Sequence, residues 1–417
     1  VKELLGKQRA VSVEEALMLI FNNLPARIPP SESINIEEGL ARILAEDIYS
    51  REDLPGFDRS SVDGYAVISS DTFGASETMP LYLEIAGEIK MGEIPLERLT
   101  RGKAMKIPTG GMLPEGSDAV IMLEHTAQIE NNLIEILRPV APGENVIKKD
   151  EDIKFGELIL KKGHKLRPQD IGALAGLGIT EIKVFKKPEV AIISTGDEIV
   201  PPTKKPLPGQ VRDINSYNLS SLIIEAGAIP MRLGILRDEY ELIKNTLKKA
   251  CEIADMVLIS GGSSVGTRDY TAKAIEELGR PDGGVLFHGV MMKPGKPTIG
   301  GIVGNVPVFG IPGHPAAATI CFFNFVKPVI KRLSGQNFAE FPKTIKAVLN
   351  KNIPSSPQRT DFVRVKIKTE GNTFMAEPIF GKSGLITTLV QADGIVVIPP
   401  ERLGLEEGET VEVILFE

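Results

Sequence analysis

The chain has 417 residues, enough for roughly three domains at about 150 residues each, with 42% hydrophobic and 25% charged residues and 48 basic against 55 acidic side chains, a net charge of −7. That balance, with no Lys/Arg block interleaved with aromatics, argues against nucleic acid as a partner, and no stretch approaches the roughly 20 apolar residues that span a bilayer. The segment VKELLGKQRAVSVEEALMLI lacks a signal-peptide core, and the two cysteines, Cys251 and Cys321, sit in helix-like apolar patterns, so reduced buried thiols and a cytoplasmic protein are expected rather than a disulfide or zinc site.

Along the chain, the apolar spacing predicts a helix over Val13 to Asn22, and Ile36 to Ala45 reads as a second amphipathic stretch after Pro29 and Pro30. From Leu54 to about Val146 short alternating runs such as LYLEIAGEI and KAMKIPTGG, broken by Gly and Pro, predict a small β-rich domain. Between Ile147 and Lys186 a hairpin-like region precedes a helix starting near Pro168, which returns the chain to its first segment and makes the β-rich part an insertion. From Pro188 to Gly335 strand-like and helix-like runs alternate: EVAIIST, SYNLSSLIIEAGA, IPMRLGILR, DEYELIKNTLKKACEIA, MVLIS, DYTAKAIEELG, PVFGIP and HPAAATICFFNFVKPVIKRL. This is a doubly wound α/β pattern, whose ligands bind where loops leave the carboxyl ends of the strands. Beyond Phe341, DFVRVKIK, GIVVIPP and ETVEVILF restore β alternation and predict a C-terminal β-barrel. The expected architecture is multidomain α/β plus β: an elongated domain from 1–52 and 147–187, an inserted β-rich domain at 53–146, an α/β domain at 188–335 and a barrel at 336–417.

The chemistry concentrates in loops. The run Met256 to Ile259 suits a buried parallel strand, and the following Gly261, Gly262, Ser263, Ser264 and Gly266 suit backbone approach to an anion, with Asp269 opening the next helix. Asp197 and Glu198 end another strand; adjacent side chains point apart, so one faces a ligand, for which Glu198 is favoured, while the other makes a turn bond. Asp238, followed by Glu241, reads either as a capping-box N-cap or as a third site acid. Several carboxylates beside a glycine loop repel unless a cation intervenes, and magnesium, which takes one or two carboxylates plus substrate phosphates, suits such a set. Lys293 and Lys296, three residues apart and separated by Pro294 and Gly295, form a cationic clamp for an anion. Pro312, Gly313, His314 and Pro315 lead into a helix whose N-terminus offers N–H donors. His314 has no acid partner evident in sequence and reads as a loop contact. In the β-rich part, FDRSSVDGYAV carries Asp63, and Thr109 lies in a Gly-containing turn before Asp118.

Taken together, FDRSSVDGYAV, PTGGMLPEGSDAVIMLEHT, KDEDIKFGE, AIISTGDEIV, ISGGSSVGTRDYT, MKPGKPT and GIPGHPAAAT resemble, in order and separation and over essentially the whole chain, the molybdopterin molybdotransferase family of the MoeA and gephyrin E-domain type. The resemblance implies a pterin-binding α/β domain and a homodimer whose site lies between that domain and the partner's β-rich insertion. It implies insertion of molybdate or tungstate into adenylylated molybdopterin with release of AMP, assisted by Mg2+, and transient contacts with an upstream adenylyltransferase and with acceptor molybdoenzymes. On that reading Asp63, Thr109, Glu198, Asp238 and Asp269 are catalytic, the last three holding the metal. Asp152, the glycine loop, Lys293, Lys296 and the Pro312 to Pro315 turn bind substrate. His314 stands where many members have Asn. An adenylyltransferase and a non-enzymatic scaffold are the alternatives; the insertion and barrel argue against the first, and the retained acids against the second.

Overall fold

A computed structural model describes residues 10–25, 28–261, 265–279, 284–337 and 342–416, with backbone only for 265–269. The chain forms two compact units, one comprising the chain up to Ala45, Gly163–Arg167 and Ile182–Glu417, the other Glu46–Lys162 and Pro168–Glu181.

The larger unit starts with α1 (Val13–Asn23), opened by a capping box in which Ser12 and Glu15 satisfy each other's backbone N–H groups. Its α/β part contains β1 (Glu189–Thr195), α2 (Asn215–Glu225), β2 (Ile229–Leu236), α3 (Tyr240–Ile253), β3 (Met256–Gly261), α4 (Val265–Leu278), β4 (Val285–His288), β5 (Ile299–Val303), β6 (Val306–Ile311), α5 (Pro315–Cys321) and α6 (Lys327–Leu333). The sheet order is β2-β1-β3-β6-β5-β4, with β2, β1, β3 and β6 parallel and β5 antiparallel to both its neighbours. The chain moves from β1 outward to β2 and then returns past β1 to β3, so the topological switch lies between β1 and β3.

Alternation along these strands loads both faces. Val190, Ile192, Met256, Leu258, Phe309 and Ile311 pack into a core with residues of α1, α2, α5 and α6. Ala191, Ile193, Val257, Ile259 and Val308 pack against α3 and α4 through Leu247, Ala250, Ala274 and Ile275.

Beyond this sheet, β7 (Thr344–Leu349), β8 (Thr360–Glu370), β9 (Thr373–Pro378), β10 (Gly394–Ile398) and β11 (Thr410–Leu415) pair in the order β8-β9-β7-β11-β10, and β10 pairs back to β8, which closes a five-stranded barrel. Its interior holds Leu349, Val365, Ala376, Val396, Ile398 and Val413.

The smaller unit is built on a six-stranded sheet in the order Ala119–Met122, Gly64–Val67, Lys103–Ile107, Leu81–Glu88, Leu133–Ile136 and Thr126–Glu130. The helix expected near Pro168 runs Pro168–Gly176.

Three local expectations differ. Ile36 to Ala45 is not a helix: a 3-10 turn at Ile36–Glu38 ends at Gly39, Ala41 has φ 61°, and Ile43 and Leu44 form bridges with Lys165 and Val184. The long helix after β6 is interrupted by a π-helical turn, Phe322–Val326, just before Pro328, whose missing N–H and bulky ring disrupt the ordinary ladder. Strands β4 and β5 were absent from the expected pattern because they are short and Gly300-Gly301 interrupts the alternation.

Candidate active site at the carboxyl ends of the strands

At the open end of the sheet, three parallel strands are tied together by side chains from the start of α2. Ser194 Oγ, in β1, donates to Asp213 Oδ2 at 2.8 Å, and Asp213 Oδ1 accepts the Ser216 N–H at 3.0 Å. Asn215 Nδ2 donates to Ser260 Oγ in β3 at 2.8 Å and to the Gly313 carbonyl, just beyond β6, at 3.0 Å. Carbonyl oxygens accept only, so this bond fixes which end of the Asn215 carboxamide is nitrogen. Asn215 Oδ1 is buried without a hydrogen-bond partner among the described residues. Nothing in the sequence reading singled out Asp213 or Asn215; the polar pair before SYNLSS was the available signal.

The loops above this network carry the expected acids. Asp197 Oδ1 lies 3.4 Å from the Asp238 backbone N–H, so Asp197 supplies the turn contact between the loops after β1 and β2. The Glu198 carboxylate makes no hydrogen bond or ion pair among the described residues, and its Oε2 packs under Gly196, where an added Cβ would come within 2.7 Å. The capping reading of Asp238 does not hold: α3 begins at Tyr240, and its N-cap is Glu239, which makes no side-chain cap bond. Tyr240 and Tyr270 rings lie 5.8 Å apart, which brings the starts of α3 and α4 side by side. Helix α4 begins at Val265, a turn earlier than the sequence pattern predicts, so Asp269 does not open it. The Asp269 side chain, Gly262, Ser263, Ser264 and the side-chain environment of Gly266 lie outside the described residues.

Gly261 has a packing reason. It sits opposite Thr195 in the β1–β3 register with φ 150°, and an added Cβ would collide with the Thr195 carbonyl oxygen.

Lys293 and Lys296 line a cavity of about 900 Å3 between the α/β part and the barrel. Met292–Lys293 pairs in parallel with Thr360–Asp361 of β8, so the barrel's own strand holds the lysine loop. Both lysines are exposed and make no ion pair among the described residues. The barrel adds cations that the sequence reading passed over. Arg359 Nε bonds Asp361 Oδ1 at 2.8 Å. Arg364 is only 6% exposed and reaches the Gly381 carbonyl at 3.3 Å, while its Nε has no hydrogen-bond partner among the described residues. Burial pushes the Arg364 guanidinium below its ordinary pKa, as expected for a desolvated cation. Among the described residues Asp361 is the one carboxylate lining this cavity, and it is bound to Arg359, so the cavity is set up for an anion. The clue in sequence was a pair of arginines in a β run, QRTDFVRVKIK, that otherwise alternates.

The Pro312 to Pro315 turn also lines the cavity. His314 is the N-cap residue of α5 but makes no cap bond; instead its Nδ1 lies 2.8 Å from Ser383 Oγ of the barrel. The Ala316 N–H donates to the Ser383 carbonyl at 3.1 Å, so this first donor of the helix is already occupied, contrary to the expectation of a free N-terminus.

In the smaller unit, Asp63 and Thr109 come together: Asp63 Oδ1 accepts the Thr109 N–H at 2.7 Å and its Oγ–H at 2.9 Å. These bonds, the backbone one foremost, hold the Asp63 carboxyl below the usual carboxylate range. Asp152 donates its backbone N–H to the Leu54 carbonyl, and its exposed side chain makes no bond among the described residues.

No three His, Cys, Asp or Glu side chains among the described residues are grouped to hold a metal ion. No helix among them is long and apolar enough to cross a membrane.

Residues 11–178 match the MoeA N-terminal region (domain I and II), 191–332 a probable molybdopterin binding domain, and 346–416 the MoeA C-terminal region (domain IV). A putative molybdopterin biosynthesis protein of Methanocaldococcus jannaschii is 37% identical over 97% of this chain and 98% of its own length. A molybdopterin molybdenumtransferase of Bacillus subtilis is 34% identical over 99% and 96%. The solved structure of a molybdopterin biosynthesis moeA protein from Pyrococcus horikoshii OT3 is 35% identical, with a TM-score of 0.84 over 98% of this chain and 100% of that one. With all three regions matched in order, the chain belongs to the MoeA family of molybdenum cofactor biosynthesis proteins.

Proposed function

We propose that this protein is a molybdopterin molybdenumtransferase that places molybdate, or its near-isostere tungstate, on adenylylated molybdopterin and releases AMP. The observation that carries this reading is the cation-rich cavity of Lys293, Lys296 and Arg364 at the loop after β6, on the carboxyl side of the parallel strands, where an α/β fold binds ligands. Lys293 and Lys296 hold the oxyanion or a substrate phosphate, and Arg364 adds a desolvated positive charge. The Asn215 and Asp213 network fixes the loop ends that face the substrate. Positioning and charge complementarity supply most of the rate.

Magnesium belongs to this reading as a shared ion. Glu198 and Asp238 lie in loops leaving neighbouring strands, and two carboxylates match what Mg2+ takes when phosphates fill the remaining positions. Asp269 is the third candidate ligand. When bound, the ion neutralises phosphate charge. The four-part division at 1–52 with 147–187, 53–146, 188–335 and 336–417 goes with this reading. So does a homodimer in which Asp63, Thr109 and Asp152 serve the partner's α/β site, in a cytoplasmic protein that meets its adenylyltransferase and acceptor enzymes transiently.

The test is AMP release from adenylylated molybdopterin with magnesium, compared with molybdate, with tungstate and without oxyanion, while the metal-loaded pterin is assayed. Oxyanion-dependent release is expected. Formation of the adenylylated pterin from ATP and molybdopterin, without metal insertion, would overturn the reading in favour of an adenylyltransferase.

A further inference from the structure

Beneath the loop that carries Lys293 and Lys296, two buried polar groups are joined in series. The Thr298 Oγ–H donates to the Gly295 carbonyl at 2.6 Å, and Cys321 Sγ lies 2.9 Å from the same Thr298 oxygen. Both side chains are fully buried. A hydroxyl has one hydrogen, here spent on Gly295, so in the second bond the thiol donates and the threonine oxygen accepts. Burial pushes the Cys321 thiol up to about 12, so it keeps its hydrogen at neutral pH. The series therefore has one direction, from Cys321 to Thr298 to the Gly295 carbonyl.

That carbonyl is in the middle of the lysine loop. Gly295 has φ 115° and also accepts the Thr298 N–H at 3.1 Å. The loop is closed at its base by the Gly289 N–H on the Thr298 carbonyl and the Val290 N–H on the Lys296 carbonyl, both at 2.8 Å. A Cβ at 295 would come within 3.1 Å of the Cys321 sulfur, so the loop rests directly on the thiol. Cys321 in turn ends α5, whose Ala317 lines the same cavity, and the series thus joins two of the cavity's walls. The surroundings are apolar, with Met292, Ile320 and Phe322 in the same core. An apolar pair would fill this place without the cost of burying polar atoms; the carbonyl that the polar pair holds accounts for it. A lysine ammonium is a point charge on a flexible stem, so two of them meet one anion only when the backbone between them is fixed.

We infer that Thr298 and Cys321 are positioning residues for anion binding: they hold the Gly295 carbonyl so that Lys293 and Lys296 present their charges to one oxyanion. The inference rests on the transferase reading for the identity of that anion, and adds to it the buried pair that shapes the anion's site. Neither residue touches the anion; both act through the lysine loop.

The experiment is calorimetric titration of the full-length chain with molybdate, together with amide exchange at Gly295, Lys296 and Thr298. Thr298→Val is expected to weaken molybdate binding about tenfold and Cys321→Ala about threefold, the scale of one hydrogen bond. Thr298→Ser and Cys321→Ser, which keep a donor in place, retain most of the affinity. Amide exchange follows the same order and is fastest in Thr298→Val. A double-mutant cycle separates action through the lysines from a plain loss of packing. In a Lys296→Ala background Thr298→Val costs less affinity than in the wild type, because the loop no longer aligns two charges. An equal loss in both backgrounds, or amide exchange unchanged by Thr298→Val, overturns the inference. If the wild type binds no molybdate, the anion assignment of the transferase reading fails, and the hold on the loop stands or falls on the exchange order alone.

Discussion

Thr195 and Gly261 face each other across the central strand pair at the open end of the sheet, with the Thr195 carbonyl occupying the space that any side chain at 261 would need. A methyl group there must push apart two strands whose ends carry the site loops, and it must do so at φ 150°, where L-residues are strained. Gly261→Ala is therefore expected to cost about 1–3 kcal/mol in denaturant unfolding, the usual scale of overpacking, and to lower transferase turnover by more than its loss of stability explains. Wild-type stability and turnover in this variant would show that the strand ends yield freely.

Asn215 is the residue on which two of those strand ends converge. Asn215→Ala leaves the Gly313 carbonyl and Ser260 hydroxyl without their donor, a loss of about 1–3 kcal/mol when the groups stay buried. Asn215→Asp replaces the donor with an acceptor facing a carbonyl and is expected to be worse than Ala, both in thermal midpoint and in kcat. A ranking with Asp better than Ala would mean that the contact to Gly313 contributes little.

These two residues also mark the limit of what the chain's sequence revealed. Parallel strands such as VAIIS and VLIS are continuous apolar runs, so their burial follows from pattern alone, whereas the strand order that puts the switch between β1 and β3 does not. Lys293 and Lys296 stood out in the sequence because prolines and glycine isolate them, and both line the cavity. Arg364 was not, because one cation in an alternating strand reads as solvent-facing until barrel closure buries it to 6% exposure. Asp238 could not be decided between cap and site acid because D-x-x-E is a local signal, whereas the helix starts at Tyr240, where the tyrosine rings, Ile243 and Leu247 pack. Asn215 offered only the weak signal of a polar pair before SYNLSS, because its partners are 45 and 98 residues away.

The cavity between the α/β part and the barrel predicts an order of effects. Lys293→Ala and Lys296→Ala each remove an exposed charge, and each is expected to weaken molybdate binding severalfold, an effect that added salt diminishes. Arg364→Ala removes a buried cation and its bond to Gly381, so it should weaken binding at least as much while resisting salt screening. Arg364→Lys does not rescue, because a point charge cannot reproduce the planar donor set. Equal salt sensitivity for all three variants would contradict the burial argument.

Asp63 offers a test that needs no substrate. Its carboxyl is held below the ordinary carboxylate value of about 3.9 by the N–H and then the hydroxyl of Thr109. A group whose folded pKa is depressed contributes stability above its unfolded pKa and loses that contribution as pH falls through the folded one. The Asp63–Thr109 contact should therefore be intact at neutral pH and weaken only under acid conditions, below the usual carboxylate range. Carboxyl-carbon NMR titration of Asp63 is expected to show the depressed midpoint, and Thr109→Val, which keeps the N–H but removes the hydroxyl, should move it only part of the way back. Thr109 amide exchange should quicken in the same acid window. In Asp63→Asn that acid-dependent quickening disappears, since the amide oxygen still accepts the N–H but no longer titrates. A midpoint unaffected by Thr109→Val would assign the depression to the backbone N–H alone.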